Sequence, residues 1–246
     1  MEAPINSVRL LPFATADGPH NMAADEALLE SAIAGRASLR FYGWAEPTLS
    51  LGYFQPQSVR SSDPQLSALA WMRRPTGGAA LVHHHELTYA VALPSGLPWQ
   101  TPGESWLARM HAIIAEALSA SAALPESVLE ESKFGEILCF LHHTPGDLRI
   151  GRTKVVGSAQ RRQRGALLQH GAILLAGSPL TPALPGIAEL CGRRQAAEEV
   201  AAAVRSAFAR RTGWPLEQSD WTPEERRRID LLATEKYGSA SWNAKR

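Results

Sequence analysis

The chain holds two cysteines, Cys139 and Cys191, and only one has neighbours that suggest chemistry. Cys139 ends the apolar run ILCFLHH, where an inert core thiol is the ordinary expectation. Lys154, in GRTKVVG, changes the balance, because it follows on a hairpin-like segment that can lie across from the thiol. A nearby ammonium favours the thiolate and can donate to a developing oxyanion. Acyl transfer through a thioester needs those two roles, a thiolate nucleophile and a positive donor at the carbonyl oxygen. Cys191, in AELCGRR near a helix end, has no comparable partner and reads as structural.

A second group lies in RRPTGGAALVHHHELTY, residues 73–89. Gly77-Gly78 lets backbone N–H groups approach a ligand with no Cβ in the way, yet a Gly-Gly hairpin turn accounts for the pair equally well. The segment lacks the phosphate-binding form G-x-x-x-x-G-K-[ST], and no G-x-G-x-x-G opens a helix. His83, His84 and His85, with His142 and His143 just after Cys139, invite a zinc reading. The usual local signatures, C-x₂₋₄-C or H-x₃₋₅-H, are absent. Adjacent strand residues also face opposite ways, so only His83 and His85 could share a ligand set. Exposed or hydrogen-bonded loop histidines are favoured, and no metal is assigned.

These residues must be positioned by strands and a few helices. VRLLPF predicts an opening strand, and HNMAADEALLESAIAG a helix with Met22, Leu28, Leu29 and Ile33 near one face and Gly35 as its C-cap. LRFYGW and TLSLGYF are β-type runs split by Glu46-Pro47. The stretch from Leu69 to Pro94 reads as strand, tight turn, strand, loop, strand. A helix is expected over Ser105–Ala122, with Leu107, Met110, Ile114 and Leu118 on one side. DLRI, TKVVGSAQ and ALLQHGAILLAG form a β-meander. GIAEL, AAEEVAAAVRSAFARRTG and TPEERRRIDLLATEKYG are helices, and SPLTPALPG is a Pro-rich connection. No repeat or boundary divides the chain, so residues 1–246 are expected to form a single α+β domain.

Composition narrows the class. With 25 Lys+Arg against 24 Asp+Glu and a net charge of +1, nonspecific nucleic-acid binding is not the main activity. Two cysteines cannot make a disulfide framework, which suits a reducing cytoplasm. No apolar run reaches the ~18 residues of a membrane span, and the N-terminus has no signal-peptide pattern.

Four blocks together resemble the lipoate/biotin protein ligase superfamily, and most closely its cysteine-dependent octanoyltransferase branch. NMAADEALLE resembles the family's first helix, and LRFYGWAEPTLSLGYFQ its second and third strands. RRPTGGAALVHHHELTYAV resembles the acyl-binding loop, and GRTKVVGSAQRRQRGALLQHGAIL the lysine-bearing strand and its sequel. The resemblance runs from about Asn21 to Leu175, with the helices of about 183–246 less distinct, although ATEKYGSASWN is similar to the family's ending. It implies a mixed, largely antiparallel sheet flanked by helices. Cys139 is then the nucleophile and Lys154 the contact to the acyl carbonyl. Arg73, Arg74, Thr76, Gly77, Gly78, His83, Gly157, Ser158 and His170 form the substrate site. Two positions depart from the family's loop, where an arginine or glycine follows the Gly pair and HD comes later: here Ala79 and His84 stand there.

The implied reaction takes octanoate from octanoyl-acyl carrier protein to a lysine of a lipoyl domain or of the glycine-cleavage H protein. No cofactor is needed, since the thioester supplies the free energy. The partners are acidic, so the basic clusters Arg161, Arg162, Arg164 and Arg73, Arg74 are candidate docking surfaces. An amidotransferase between lipoyl domains would use the same cysteine and lysine. An ATP-dependent lipoate-protein ligase would share the glycine loop but not the thiol. A non-enzymatic lipoyl- or zinc-binding regulator would bind without turnover.

Overall fold

The computed structural model describes residues 7–96, 105–119, 123–135 and 137–246. Among them, most strands join one mixed sheet: β1 (Val8–Leu10), β2 (Ala14–Ala16), β3 (Ser38–Trp44), β7 (Glu86–Leu93), β8 (Glu126–Ser127), β11 (Leu148–Ile150), β12 (Thr153–Gln163), β13 (Ala166–Leu174) and β14 (Leu216–Gln218). Its order is β14-β1-β3-β7-β13-β12-β11-β8, with β2 on β3. The pairs β1/β14, β1/β3 and β2/β3 are parallel, and the rest of the sheet is antiparallel. The expected largely antiparallel α+β fold is therefore present, and β11, β12 and β13 form the expected meander.

β7 and β13 are buried along their whole lengths, because helices cover both faces of the sheet. Their side chains divide by alternation. Leu87, Tyr89, Val91 and Leu93 face helices α4 (Trp106–Ser119) and α6 (Ala197–Thr212), where Ile113, Ile114 and Phe208 complete the larger core. Ala90 and Ala92 face α1 (Gly18–Ile33) with its Leu28 and Leu29, the small side chains leaving room for that helix. Each fully buried Leu, Ile or Phe adds roughly 1.5–3 kcal/mol of hydrophobic stabilisation.

Local signals explain the helix ends. Asp17 caps α1 by accepting the His20 N–H at 2.9 Å, and Gly35, with φ +94°, follows its C-terminus as predicted. α4 falls inside the predicted Ser105–Ala122, whose last three residues lie outside the described ones. α5 (Ile187–Cys191) and α7 (Pro223–Leu232) were also expected, although a π-turn over Ala233–Tyr237 and α8 (Ala240–Asn243) finish the last segment. α7 is clasped to α1 and β1 through Arg228–Glu30 and Arg9–Glu225, both at 2.8 Å.

The main correction concerns residues 69–94. The strands β4 (Thr48–Leu51), β5 (Ala70–Arg73) and β6 (Leu81–His83) form a separate sheet in the order β5-β4-β6. β4 is parallel to β5 and antiparallel to β6. The glycine pair therefore sits in a crossover passing β4, not in a hairpin turn. Two short helices, α2 (Ser58–Ser61) and α3 (Pro64–Ala68), make the β4–β5 connection, and a ribbon of β9 (Ser132–Lys133) and β10 (His142–His143) precedes β11.

Candidate active site

Lys154 is the second residue of β12, and its ammonium is held among several partners. Nζ lies 2.7 Å from Asp147 Oδ2 and donates to the His142 carbonyl at 2.9 Å. It also lies 3.8 Å from Cys139 Sγ and 3.4 Å from the Cys139 carbonyl. Asp147 is held by the Thr144 N–H at 2.8 Å and the Thr144 hydroxyl at 2.9 Å. Both charged side chains are 3% exposed. Gly157 makes room for this arrangement: a Cβ there would stand 2.5 Å from Lys154 Cε and 2.9 Å from Nζ. Asp147 was not anticipated, and its only sequence signal is a Gly-Asp turn entering a strand.

Cys139 is half-buried and opens a single 3₁₀ turn, Cys139–Leu141, so it lies at the edge of the core and not inside it. Its N–H donates to the Ala80 carbonyl at 2.7 Å, while the Ala80 N–H donates to Ile137 at 3.0 Å. Two backbone hydrogen bonds thus fasten the thiol's segment to the end of the glycine loop. Cys191, expected to be structural, is exposed at the last turn of α5.

The loop itself is fixed from inside. Gly78 has φ +90°, the left-handed region that glycine enters without strain. Gly52 lets the loop pass closely, since a Cβ on it would fall 1.8 Å from the Gly78 oxygen. Arg74 Nη2 donates to the Gly77 and Ala79 carbonyls, each at 2.7 Å, and Nη1 to Ser50. Burial pulls the Arg74 pKa down, while the charge of Cys139 works the other way. Arg74 pairs with no carboxylate among the described residues, and its partners are Ser50 and the loop carbonyls of Gly77 and Ala79. Arg73 is a fully buried strut, donating to the carbonyls of Gly52 at 2.9 Å and Gln55 at 2.6 Å. Neither arginine can be a docking surface, which corrects that expectation. Arg162 and Arg164 are exposed at the β12–β13 turn, and Arg161 reaches back to the Pro75 carbonyl at 3.0 Å.

The histidines divide by environment. His83 is buried and stacks on Trp44, ring centroids 3.6 Å apart, with Nδ1 2.6 Å from Glu86 Oε1 and Nε2 2.8 Å from Ser50 Oγ. His84 contacts Ser178 Oγ at 2.9 Å, and His85, exposed, the Gly177 carbonyl at 3.0 Å. His83 and His85 therefore do not share a ligand set, and no group of three metal-ligating side chains occurs among the described residues. His170 bridges Asp25 Oδ2 at 2.8 Å and Thr76 Oγ1 at 2.7 Å, tying α1 and β13 to the loop. Ser158 sits between Tyr89 OH at 2.6 Å and His111 Nε2 at 2.5 Å. Burial lowers the His111 pKa and pushes Tyr89 up to about 12, so both are neutral supports.

These groups enclose a cleft of about 530 Å³, counting its open mouth. Of the residues expected in the site, Arg74, Gly77, Gly78, His83, Cys139, Gly157, Ser158 and His170 line it. Lys154 and Thr76 stand behind that lining, and Arg73 supports it. Leu81, Phe140, Ala172 and Met22 make much of the rest apolar. Sequence reasoning missed Asp147, Ser50, Glu86, Asp25 and His111. The arrangement offers a thiol beside cations, glycine backbone at close range, and an apolar bed for an extended chain.

Residues 17–206 match the model of the lipoyl protein ligase A/B catalytic domain. The chain is 33% identical over 271 residues to octanoyltransferase LipM of Symbiobacterium thermophilum, covering 97% of this chain and 98% of that protein. It is 33% identical to octanoyltransferase LipM of Geobacillus kaustophilus, covering 92% and 94%. Among solved structures, lipoate-protein ligase A bound with ATP superposes with a TM-score of 0.73 at 22% identity, over 97% of this chain and 98% of that one. That likeness speaks for the fold.

Proposed function

The chain belongs to the lipoyl protein ligase A/B catalytic-domain family, and within it we propose that it is an octanoyltransferase working through a thioester on Cys139. The Cys139 thiolate attacks the thioester carbonyl of octanoyl-acyl carrier protein. The carrier leaves as its thiolate, which takes a proton from water, and octanoyl-Cys139 remains. The ε-amine of a lysine on a lipoyl domain or the glycine-cleavage H protein then attacks that carbonyl. An amide forms and the Cys139 thiol is released. Lys154 donates to the oxyanion in both steps, assisted by backbone N–H groups at Gly77 or Gly78. The thioester supplies the free energy, so no ATP enters.

One observation carries the reading: Lys154 Nζ lies 3.8 Å from Cys139 Sγ, at a cleft lined by the two glycines and by Leu81, Phe140 and Ala172. A thiol, a cation and an apolar bed meet at one place. Ala79 supports transfer over ATP-dependent ligation, because the loop presents no charged side chain there to hold an adenylate. The exposed Arg162 and Arg164 are the basic surface we assign to the acidic partners. Unpaired thiols suit a cytoplasmic setting.

Intact-protein mass after mixing with octanoyl-acyl carrier protein, without ATP, tests the proposal. A hydroxylamine-sensitive octanoyl adduct is expected on the wild type and not on Cys139→Ala. No adduct on the wild type would sink it. An adduct only from an acylated lipoyl domain would mark an amidotransferase, and activity only with octanoate and Mg-ATP a ligase.

A further inference from the structure

The acyl-transfer scheme leaves one buried set of polar side chains unused. It runs across the small sheet from Arg74 to Glu86. Arg74 Nη1 lies 3.3 Å from Ser50 Oγ, Ser50 Oγ 2.8 Å from His83 Nε2, and His83 Nδ1 2.6 Å from Glu86 Oε1. A guanidinium only donates, so Ser50 Oγ accepts from Arg74 and turns its own O–H toward His83. Nε2 is then the acceptor, and the ring proton sits on Nδ1, donated to Glu86. Each bond fixes the direction of the next. Trp44 stacks on the ring, and Glu86 Oε2 accepts the His84 N–H at 2.7 Å, so neither partner can turn away. Ser50 and His83 line the same cleft as Cys139.

The second half-reaction needs a proton acceptor. When the acceptor amine attacks octanoyl-Cys139, its nitrogen becomes positively charged in the tetrahedral intermediate and must lose a proton before the neutral amide can form. Lys154, paired as an ammonium with Asp147, has donors and no lone pair. We propose that Ser50, His83 and Glu86 form a proton relay that receives this proton. The nitrogen gives a proton to Ser50 Oγ as the Ser50 hydroxyl proton passes to His83 Nε2. The departing Cys139 thiolate, or water, afterwards takes the proton back, so the relay is regenerated. This is the carboxylate–imidazole–hydroxyl logic of acyl-transfer triads, with the hydroxyl carrying the proton instead of attacking. The charged neighbours agree with it. Burial lowers the His83 pKa against the pull of Glu86, and Arg74 and His170 push the same way as burial, which favours the neutral imidazole with Nε2 as an acceptor.

The inference rests on the thioester reading, and separating the half-reactions tests the two apart. Octanoylated protein is prepared, then discharged either by a lipoyl domain or by hydroxylamine, whose weakly basic nitrogen, once it has attacked, gives up its proton to water without a relay. His83→Gln alters a side chain that lines the cleft, so it is first octanoylated to completion and any change in the rate of adduct formation stays outside the comparison. It should discharge to the domain's lysine roughly 10²–10³-fold more slowly, yet discharge to hydroxylamine almost unchanged. Free amine increases with pH for both proteins, but the variant's lysine reaction should climb more steeply, because hydroxide then takes the proton that the relay would have received. Ser50→Ala, nearly isosteric, should behave alike and carries the test if His83→Gln does not fold. Equal slowing with both nucleophiles, or unimpaired discharge to lysine, would overturn the relay. Absence of any adduct on the wild type would instead remove the thioester reading itself.

Discussion

Replacing Lys154 by Met isolates the two jobs given to that ammonium. Structurally, it leaves the Asp147 carboxylate, 3% exposed, without its ion pair. Removing one partner of a buried pair costs about 3–5 kcal/mol. Asp147 would keep the Thr144 N–H and hydroxyl at 2.8 and 2.9 Å, which places the expected loss near the lower end, about 3 kcal/mol. Against a total stability of about 5–15 kcal/mol, the variant still folds, with a clearly lower urea midpoint. Adding Asp147→Asn removes the stranded charge and keeps an oxygen for Thr144, so the double variant should regain about 2 kcal/mol. Chemistry should not follow stability. Loss of an oxyanion donor costs roughly 10²–10³-fold in rate, and the double variant lacks that donor as fully as the single one. Urea titrations of the wild type, both single variants and the double variant, paired with the rate of octanoyl adduct formation, read both quantities. The reasoning fails if Lys154→Met costs less than about 1 kcal/mol, as an exposed pair would. It fails equally if the double variant recovers adduct formation along with stability.

Other consequences are as direct. Gly157→Ala places a Cβ 2.5 Å from Lys154 Cε, so it should slow adduct formation at least tenfold, measured by mass, while the protein remains folded by circular dichroism. Gly52→Ala drives a Cβ to 1.8 Å from the Gly78 oxygen. Overpacking of that kind costs about 1–3 kcal/mol, and here the displaced loop should also slow acylation; a variant with wild-type rate and melting temperature would contradict the close passage. Burial raises the pKa of Glu225, but bonds from Arg9, Ser31 and the Thr222 N–H more than offset it, leaving about 2. A depressed carboxylate stabilises the fold above its unfolded value, about 4.3, and that contribution is lost as pH falls toward the folded one. Melting temperature should therefore drop between about pH 4.5 and 2 more shallowly in Glu225→Gln than in the wild type.

The sequence made parts of this site visible and hid others for identifiable reasons. Helix α1 carried a periodic apolar face and a Gly after its end, and the meander carried Gly-Arg and Arg-Gly turns between β-rich runs, so Lys154, Gly157 and His170 could be assigned to strands. Cys139 was visible as a thiol, but its 3₁₀ turn was not, because a turn of three residues has no periodicity to read. The pairing of β5 with β4 instead of β6 depends on packing between distant segments, which is why the glycine pair read equally as a hairpin. Arg73 and Arg74 looked like surface charge because burial of a guanidinium depends on carbonyls that the fold supplies. For Arg73 those belong to Gly52 and Gln55. Asp147, Ser50 and Glu86 are ordinary polar residues in sequence, and gain meaning only from what lies within 3 Å of them.

The cleft is a seam between separately built parts, and this bears on how the chemistry is held together. Ser50 and His83 belong to the small sheet, with Arg74 just past the end of β5. Lys154, Gly157 and His170 belong to the large sheet, and Cys139 to neither. Bonds that cross between these parts include Cys139 N–H to Ala80, Lys154 to the His142 carbonyl, Thr76 to His170, Arg161 to the Pro75 carbonyl and His83 to Glu86 of β7. The crossing bonds touch the nucleophile's segment, the cation and the glycine loop, so a shift of one wall against the other misaligns all three together. An octanoyl chain lying on Leu81 from the small sheet and Ala172 from the large one adds apolar contact to both walls at once. Acylation of Cys139 should then tighten the seam it is built across. The acyl-enzyme is therefore expected to melt at a higher temperature than the free protein, and the gain should diminish for shorter acyl chains, since each buried methylene removed forfeits about 0.8 kcal/mol.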